Sequence, residues 1–576
     1  MSNLSVVLGL SVALAVVSAL SADPPEKAPA NQTTKSPAET ELAALVAQYE
    51  AKYKPLLMKN EQAWWEANIT GSDEAFKKKE AAAKALVELH CDRDVFAKLK
   101  RIKEQGGVTD PLLARHLQVM CLAYLPGQAD KDLQRKIVEL ETKVEQVFNT
   151  FRGEVNGKQL TENEIRDILS SEKDSALAEK AWKAYMAAGA KVAPMLPELV
   201  GLRNQLARQL GFRDYFAMQV SQQEIDEKEL WRIFDELQSQ TEEPYAALKK
   251  EIDTAMAARF GMAAGELRPW HFGDLFFQEP PSPPEDKLSR VYTDKDMLAL
   301  ARTYYESLGL PVDDIIARSD LYEKPGKCPH AFAADLDRAG DIRVLANLKP
   351  NLYWMDTLLH ELGHAVYDKY IPQEVPFVLR TASHGITTEG IALMMGGMSK
   401  NEDWLVKAVK LPPDQAAEAC RSARGALRSE KLVFCRWAQV VVRFERAMYE
   451  KPDQDLGKLW WDLKRQYQLL NPPEDVTRPD YAAKIHIVTV PVYYHNYVLG
   501  DLFAAQVQHH IASAVLPKDL PGNSSFYGRK EVGVYLRDRI FAPGSLVSWN
   551  ELTKQATGEP LSAKCFVRQF VQEPAK

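Results

Sequence analysis

Residues 352–370 read LYWMDTLLHELGHAVYDKY, and the His-Glu-Leu-Gly-His segment at 360–364 decides how the rest of the chain is interpreted. On an α-helix, residues four positions apart differ by about 40° in direction, so both imidazoles can reach one ion. Zinc binds histidine nitrogen, and Glu361 would lie beside a water held by the metal, from which it can take a proton. The segment therefore predicts a metal-binding helix with His360 and His364 as ligands and Glu361 as catalytic base.

A catalytic zinc site uses a third protein ligand, and two glutamates follow the motif at suitable distances. Glu389 lies 29 residues after His360 in the segment HGITTEGIALMM, whose apolar continuation predicts a helix that begins near Thr387. Glu374 is the alternative, but it lies in the loop IPQEVP between two prolines. We therefore predict that Glu389 is the third ligand and that it comes from the helix after the motif.

Most of the remaining chain has the apolar spacing of helices. From about residue 40, segments rich in Ala, Leu, Glu and Lys carry apolar residues three and four positions apart, which predicts helix after helix. One region, HAFAADLD (330–337) followed by a turn and IRVLANL (342–348), predicts two strands just before the motif. The expected fold is mainly α, with a small antiparallel sheet next to the metal-binding helix. Further long helices are predicted at 174–211, 225–262, 414–448 and 490–514.

Charge and composition narrow the range of partners. The 576 residues carry a formal net charge of −7 spread over both signs, and no basic tract indicates a nucleic-acid partner. After the N-terminus, no run approaches the about 20 apolar residues that span a membrane. The six cysteines are scattered without a CxxC pair, so they do not form a metal knuckle. We expect a monomer that binds no nucleic acid and has no later transmembrane segment.

The N-terminus has the composition of a secretory signal peptide. Residues 6–17 are apolar (VVLGLSVALAVV), and small residues follow as far as Ala22. No Lys or Arg precedes the apolar run, so a retained N-terminal anchor is the alternative to cleavage. We expect a signal peptide at 1–22, a flexible Pro/Ala/Thr-rich tether at 23–40 and a single helical domain at 41–576, which makes the protein secreted or periplasmic.

With these residues in place, the chain resembles the angiotensin-converting-enzyme family of dipeptidyl carboxypeptidases, which are zinc metallopeptidases of the gluzincin type. The resemblance spans roughly residues 40–570. It implies a large helical fold of two lobes with a deep central cleft, one Zn²⁺ per chain, and peptides with a free C-terminus as substrates. The segments that carry it are WWEANIT (64–70), ELVGLRNQLAR (198–208), GDLFFQ (273–278), AKIHI (483–487) and YHNY (494–497).

The resemblance implies a site for the C-terminal carboxylate of the substrate. The family binds this carboxylate with a glutamine, a lysine and a tyrosine, which correspond to Gln278, Lys484 and Tyr494. An amide, an ammonium and a phenol can all donate hydrogen bonds to one carboxylate. Simpler interpretations of the same residues are a solvated surface lysine at 484 and a core tyrosine at 494.

The resemblance also implies residues close to the reaction itself. Tyr497 corresponds to the family tyrosine that donates to the developing oxyanion. His486, in the segment AKIHI, corresponds to the family histidine of the same motif and is a further catalytic candidate. His330 corresponds to the substrate-binding histidine, and with Ala331 it would lie on an edge strand that pairs with peptide backbone. Capping of the strand is the simpler interpretation of His330.

Two departures limit what the resemblance implies. Leu393 stands where the family often has an aspartate, four residues after the ligand glutamate. Asn496 replaces the arginine of chloride-activated members, so chloride dependence is not carried over to this chain.

The peptidyl-dipeptidase interpretation has two alternatives. The segment YHNYVLG also resembles the thimet-type oligopeptidases, which makes an endo-acting oligopeptidase the first. A catalytically inactive binding protein on the same fold is the second.

Overall fold

The computed structural model describes residues 35–281, 288–328, 330–518 and 524–571. Residues 1–22, the predicted signal peptide, and the first part of the predicted tether lie outside these ranges. Within them the chain is mainly α-helical with two short antiparallel two-stranded sheets, which confirms the predicted fold class. No helix among the described residues is long and apolar enough to cross a membrane. All six cysteines lie in this part of the chain, and none forms a disulfide there.

The first half of the chain contains one sheet and a succession of helices of very different lengths. Its helices are α1 (Pro37–Thr70), α2 (Asp73–His90), α3 (Arg93–Gln105), α4 (Pro111–Tyr124), α5 (Lys131–Thr150), α6 (Glu162–Ser171), α7 (Ser175–Val192), α8 (Leu196–Gln209), α9 (Tyr215–Gln222), α10 (Glu227–Phe260), α11 (Met297–Ser307) and α12 (Asp313–Arg318). Its strands are β1 (Gly153–Val155) and β2 (Lys158–Leu160), which pair antiparallel.

The second half opens with the other sheet and continues with the helices that carry the predicted site. The strands are β3 (Phe332–Asp335) and β4 (Ile342–Leu345). The helices are α13 (Leu352–Lys369), α14 (Gly385–Gly396), α15 (Glu402–Lys407), α16 (Pro413–Glu450), α17 (Leu456–Gln468), α18 (Ile485–Thr489), α19 (His495–His510), α20 (Lys530–Tyr535), α21 (Trp549–Thr557) and α22 (Lys564–Phe570).

Helix α1 begins at Pro37, inside the segment expected to be a tether as far as residue 40. Ser36 caps the helix: its hydroxyl accepts from Glu39 N–H, and Glu39 accepts from Ser36 N–H. The other oxygen of Glu39 accepts from the backbone N–H groups of Thr109 and Asp110. These contacts satisfy the helix end and fasten it to a distant loop.

The second sheet lies against α13, as the sequence predicts. Strands β3 and β4 pair from Phe332 with Leu345 to Asp335 with Ile342, and both strands contact α13. The outer side of β4 is covered near Asp320, whose backbone bridges to Leu345. Among the described residues, no strand pairs with the other side of β3. The sheet therefore presents one open edge.

Helix α14 packs between α13 and α19, and small residues permit the close approach. A Cβ at Gly363 of α13 would lie 2.9 Å from the Ala392 Cα of α14. A Cβ at Gly390 of α14 would lie 2.9 Å from the Gly500 carbonyl oxygen of α19. The three helices are thus held at fixed spacings by backbone contacts. The division of the fold into two lobes around a cleft stays a prediction.

Candidate metal centre

Helices α13 and α14 bring the three predicted metal ligands together. The Nε2 atoms of His360 and His364 are 3.2 Å apart. Nε2 of His360 lies 3.8 Å from Oε1 of Glu389, and Nε2 of His364 lies 3.6 Å from Oε2 of the same carboxylate. Their ligand atoms all lie within 4.8 Å of one another. The alternative ligand, Glu374, is exposed and does not belong to this group.

The donor set and its spacing fit a zinc ion. Ligands at 2.0–2.1 Å from a tetrahedral metal are about 3.3 Å apart, close to the separations found here. Two imidazole nitrogens and one carboxylate oxygen are also the protein ligands of a common class of catalytic zinc site, in which a fourth position is left for water. His360, His364 and Glu389 can therefore hold a metal ion with little rearrangement.

The charges of these three residues shift one another's pKa values. Burial lowers the pKa of His360, while the Glu389 charge acts against that shift. The pKa of His364 is raised, because the close approach of Glu389 and the nearby carboxylate charges outweigh burial. The pKa of Glu389 is lowered: burial would raise it, but the contacts with both histidines dominate. Glu389 is therefore ionised at neutral pH, as a metal ligand must be.

Two residues that the sequence did not indicate support the histidines. Nδ1 of His364 lies 2.7 Å from the Thr388 hydroxyl, so an imidazole that binds metal through Nε2 can donate to it. Asp356, one turn before His360, raises the pKa of that imidazole and is paired with Lys400 at 2.8 Å. Thr388 adjoins Glu389 in sequence, and this adjacency is the only signal that could have indicated it.

Glu361 lies between the ligands and the second sheet. Its side chain is 7% exposed, and burial raises its pKa to about 7. The Glu389 charge adds to this shift, whereas the charge of His364 and a hydrogen bond from the Ala333 backbone N–H oppose it. A carboxyl whose pKa lies near neutral pH can both accept and release a proton, which suits a general base.

A cavity of about 590 Å³ opens over the three ligands. It is lined by all three, by Glu361 and by the backbone segment from Ala331 to Ala333. Ala331 therefore lies where the sequence predicts substrate backbone. His330 is exposed and is not among the lining residues, so the structure does not bring it into this cavity.

A second group, which we call the Lys484 cluster, consists of Gln278, Lys484 and Tyr494. The Lys484 ammonium donates to Gln278 Oε1 at 2.8 Å, and the Tyr494 hydroxyl donates to the same oxygen at 3.4 Å. Lys484 is 7% exposed, so it is not the solvated surface lysine of the simpler interpretation. The structure thus brings Gln278 to two residues that lie more than 200 positions after it in sequence.

Each of the segments that carry Gln278 and Tyr494 contains a strained residue. Phe277 (φ 54°) and Val492 (φ 58°) adopt the left-handed conformation that side chains other than glycine rarely adopt. Gln468 donates to the Phe277 carbonyl at 2.6 Å, and Glu445 accepts from the Val492 N–H at 2.7 Å. Buried hydrogen bonds therefore hold both strained turns in place, as is typical of functional sites.

Tyr497 lies between the two groups. Its ring centroid is 5.4 Å from that of Tyr494. Burial raises its pKa to about 12, with contributions from Tyr493 and from Glu389 of the metal centre. His486 packs its ring 5.2 Å from Tyr494, and burial with the Lys484 charge lowers its pKa to about 4. His486 is therefore neutral at physiological pH.

Asn496, which replaces the arginine of chloride-activated members, is buried. It donates to Gln223 Oε1 at 2.7 Å, and Gln223 in turn donates to the Val492 carbonyl. Its amide thus supports the backbone that precedes Tyr494.

The fold and the metal centre together define a protein of the helical metallopeptidase class. Comparison with known families identifies which family of this class the chain belongs to. Residues 36–572 match the peptidase M2 family, described as angiotensin-converting enzyme, and the chain belongs to that family. The resemblance found in the sequence is confirmed.

The individual relatives are distant. The chain is 22% identical over 563 residues to an angiotensin-converting enzyme of Sus scrofa, which covers 92% of this chain but 42% of the relative. It is 24% identical over 441 residues to thermostable carboxypeptidase 1 of Pyrococcus furiosus, covering 70% of this chain and 78% of the relative. An inactive angiotensin-converting enzyme-related protein of Caenorhabditis elegans is 22% identical over 439 residues, covering 69% of this chain and 48% of the relative.

The chain thus spans less than half the length of the angiotensin-converting enzymes that it matches. One relative is also named inactive. Family membership therefore supports a peptidase without deciding the activity of this chain, for which the residues themselves must be considered.

Proposed function

We propose that this chain is a zinc-dependent peptidyl-dipeptidase that releases dipeptides from the free C-terminus of peptides. The observation that supports this most directly is the Lys484 cluster, in which an ammonium and a phenol converge on one amide oxygen. A substrate carboxylate would take the place of that oxygen as acceptor for both donors. The site lies next to Tyr497, which in turn is close to Glu389 of the metal centre.

In this proposal His360, His364 and Glu389 hold the zinc ion. Bound there, zinc supplies Lewis acidity that polarises the scissile carbonyl and makes water easier to deprotonate. Thr388 keeps the His364 imidazole oriented, since it occupies the nitrogen that does not face the metal.

The remaining chemistry belongs to side chains of this protein. Glu361 takes a proton from the attacking water, and a bond forms between the water oxygen and the carbonyl carbon. Tyr497 donates to the oxygen that becomes negative, a task for a hydroxyl held by its neighbours. Glu361 then gives its proton to the amide nitrogen, the C–N bond breaks, and the dipeptide leaves as an amine.

Ala331 to Ala333 would hold the substrate chain. These residues line the cavity, and β3 has an open edge along which extended peptide backbone can pair. Such pairing recognises the backbone of any sequence, so the position of cleavage would be set by the carboxylate site.

The decisive experiment compares a short peptide with its C-terminal amide. The free acid should be shortened by two residues, whereas the amide should be cut at least tenfold more slowly, because the buried Lys484 then lacks its anionic partner. Mass spectrometry of the fragments gives the cleavage position. Equal cleavage of both peptides would favour an endo-acting oligopeptidase.

The variant Glu361→Gln serves as the control for the chemistry. It preserves shape and the three ligands, so it should retain one zinc per chain by metal analysis while turnover is lost. Hydrolysis at the wild-type rate would overturn the proposed role of Glu361. Absence of cleavage by zinc-loaded wild type would favour the inactive binding protein.

A further inference from the structure

Asp368 lines the cavity one helical turn after His364, and the proposed reaction gives it no role. Its side chain is mostly buried. In the described part of the chain, no hydrogen bond or ion pair engages its carboxyl group. Burial and the Asp335 charge raise its pKa to about 7, with His364 and Arg338 acting in the opposite direction. The positive charges near this carboxyl therefore do not outweigh its burial and the Asp335 charge.

Arg338, whose charge acts on the Asp368 carboxyl, forms its hydrogen bonds with other groups. Arg338 donates to the carbonyl oxygens of Phe377 and Val378 at 2.9 and 3.1 Å. Its guanidinium also lies over the rings of Tyr53 and Phe377. Asp335 accepts instead from the backbone N–H groups of the turn that joins β3 and β4. Among the described residues, no lysine or arginine pairs with the Asp368 carboxyl, so a ligand in the cavity can contact it.

The cavity that Asp368 lines has a volume of about 590 Å³. Small residues make up much of its lining, among them Ala333, Thr381, Ala382 and Gly385. Among all the lining residues there is no lysine or arginine. The acids Glu361 and Glu389 are balanced by the metal in the proposed function, whereas Asp368 is not. The balance of charge in the loaded cavity thus favours a positive group on the ligand.

We propose that Asp368 is a specificity-determining residue, which selects peptides with a lysine or arginine side chain at one of the two positions on either side of the scissile bond. The cationic head would pair with the carboxylate, and its methylene stem would lie along the small residues of the wall. This inference rests on the proposed function, since it assumes that peptides occupy the cavity.

The test uses a set of peptides in which lysine or the uncharged, similarly long norleucine occupies each of the two positions on either side of the cleaved bond. For wild type, kcat/KM should favour lysine by about tenfold or more at one position, which corresponds to one well-formed buried charge pair. Asp368→Asn should abolish that preference, and Asp368→Glu should keep most of it.

The matched control is Asp335→Asn, which removes the neighbouring charge without changing the cavity wall. It should leave the lysine preference within about twofold of wild type. An equal loss in both variants would mean that the general acidic field, rather than contact with Asp368, selects the substrate, and would overturn the inference. Equal use of lysine and norleucine peptides by wild type at all four positions would also overturn it.

A binding measurement separates this inference from the proposed activity. Zinc-loaded Glu361→Gln should bind the favoured lysine peptide about tenfold more tightly than the norleucine peptide by calorimetry. If wild type cuts nothing but this difference in affinity is found, the peptidase proposal fails and the role of Asp368 stands. If peptides are cut without any difference in affinity, Asp368 has no such role.

Discussion

Lys484 is a buried ammonium whose ionisation should control substrate recognition. Burial lowers its pKa to about 8, although Asp274 acts in the opposite direction. The charged form is present below this pKa and is lost above it. We therefore expect kcat/KM for a free-acid peptide to fall as the pH rises through about 8, since this parameter reports the free enzyme. A series of initial rates at low substrate concentration, from pH 6 to pH 10, gives the profile.

The matched variant is Lys484→Arg, because the guanidinium stays charged throughout this range. Its profile should lack the fall near pH 8, even if its absolute rate is lower. Lys484→Met should lose about 2–5 kcal/mol of transition-state binding for the free acid and little for the amide. The same fall near pH 8 in all three proteins would assign it to another group.

At the scale of single residues, the sequence predicted the residues that could hold a metal ion but not the residues that support them. His360, His364 and Glu361 follow from the periodicity of one helix, because four residues span about one turn. Thr388 and Asp368 depend on how α13 and α14 rotate toward each other and the cavity. That rotation is set by packing, which has no short-range pattern in the sequence.

At the scale of elements, the contact between α13 and α14 controls the metal centre, because each helix supplies part of it. Gly363→Ala would place a Cβ 2.9 Å from the Ala392 Cα, so α14 must move. We expect a loss of about 1–3 kcal/mol in the free energy of unfolding. Zinc affinity should fall as well, because Glu389 moves with α14. Denaturant unfolding and competition with a chelator measure the two effects.

A matched substitution is available in Gly201 of α8, which is exposed and has open space around its Cβ position. Gly201→Ala should stabilise the protein slightly, by at most about 1 kcal/mol, through helix propensity alone. Zinc affinity should not change in this variant. If both alanine variants behaved alike, steric contact between α13 and α14 would not be the cause.

The helices were predictable from apolar spacing, but their breaks depend on individual residues. The helix predicted over 174–211 is divided into α7 and α8, because Pro194 and Pro197 interrupt its hydrogen bonds. Similarly, the helix predicted from residue 490 begins at His495, after Pro491. Nothing in the sequence predicted the left-handed backbone conformation of Phe277 and Val492, because neither is a residue type that favours it.

At the scale of the whole molecule, metal binding should stabilise the fold. The ligands come from two helices that the chain connects through a loop, so the unfolded chain does not present them together. A ligand that binds only the folded state adds about 4 kcal/mol at a thousandfold excess of free ligand over its Kd. We expect EDTA to lower the midpoint of thermal unfolding and zinc to restore it, as followed by circular dichroism.

Two glutamine variants test whether this stabilisation arises at the proposed site. Glu389→Gln removes a ligand, so its midpoint should respond little to zinc. Glu374→Gln changes an exposed glutamate in the loop between α13 and α14, so its response should equal that of wild type. A full zinc response in Glu389→Gln would place the stabilising metal elsewhere.

The mainly α-helical class followed from composition and periodicity, because most of the helices have ordinary apolar faces. The start of α1 at Pro37 carries a local signature, the capping box of Ser36 and Glu39, whereas the contact of Glu39 with a loop 70 residues away has no local pattern. Long-range contacts, such as that between Gln278 and Lys484, could be predicted only from the family resemblance.

The open edge of β3 has a consequence for the behaviour of the protein in solution. An unpaired strand edge on a molecular surface can pair with the edge of another molecule, which is a common route to aggregation. Here that edge borders a cavity of about 590 Å³ beside α13, and the outer side of β4 is covered. A peptide needs only this single edge in order to pair, whereas self-association requires the edges of two folded molecules to meet. The position of the edge beside the cavity therefore favours one extended chain over a second copy of the protein as its partner.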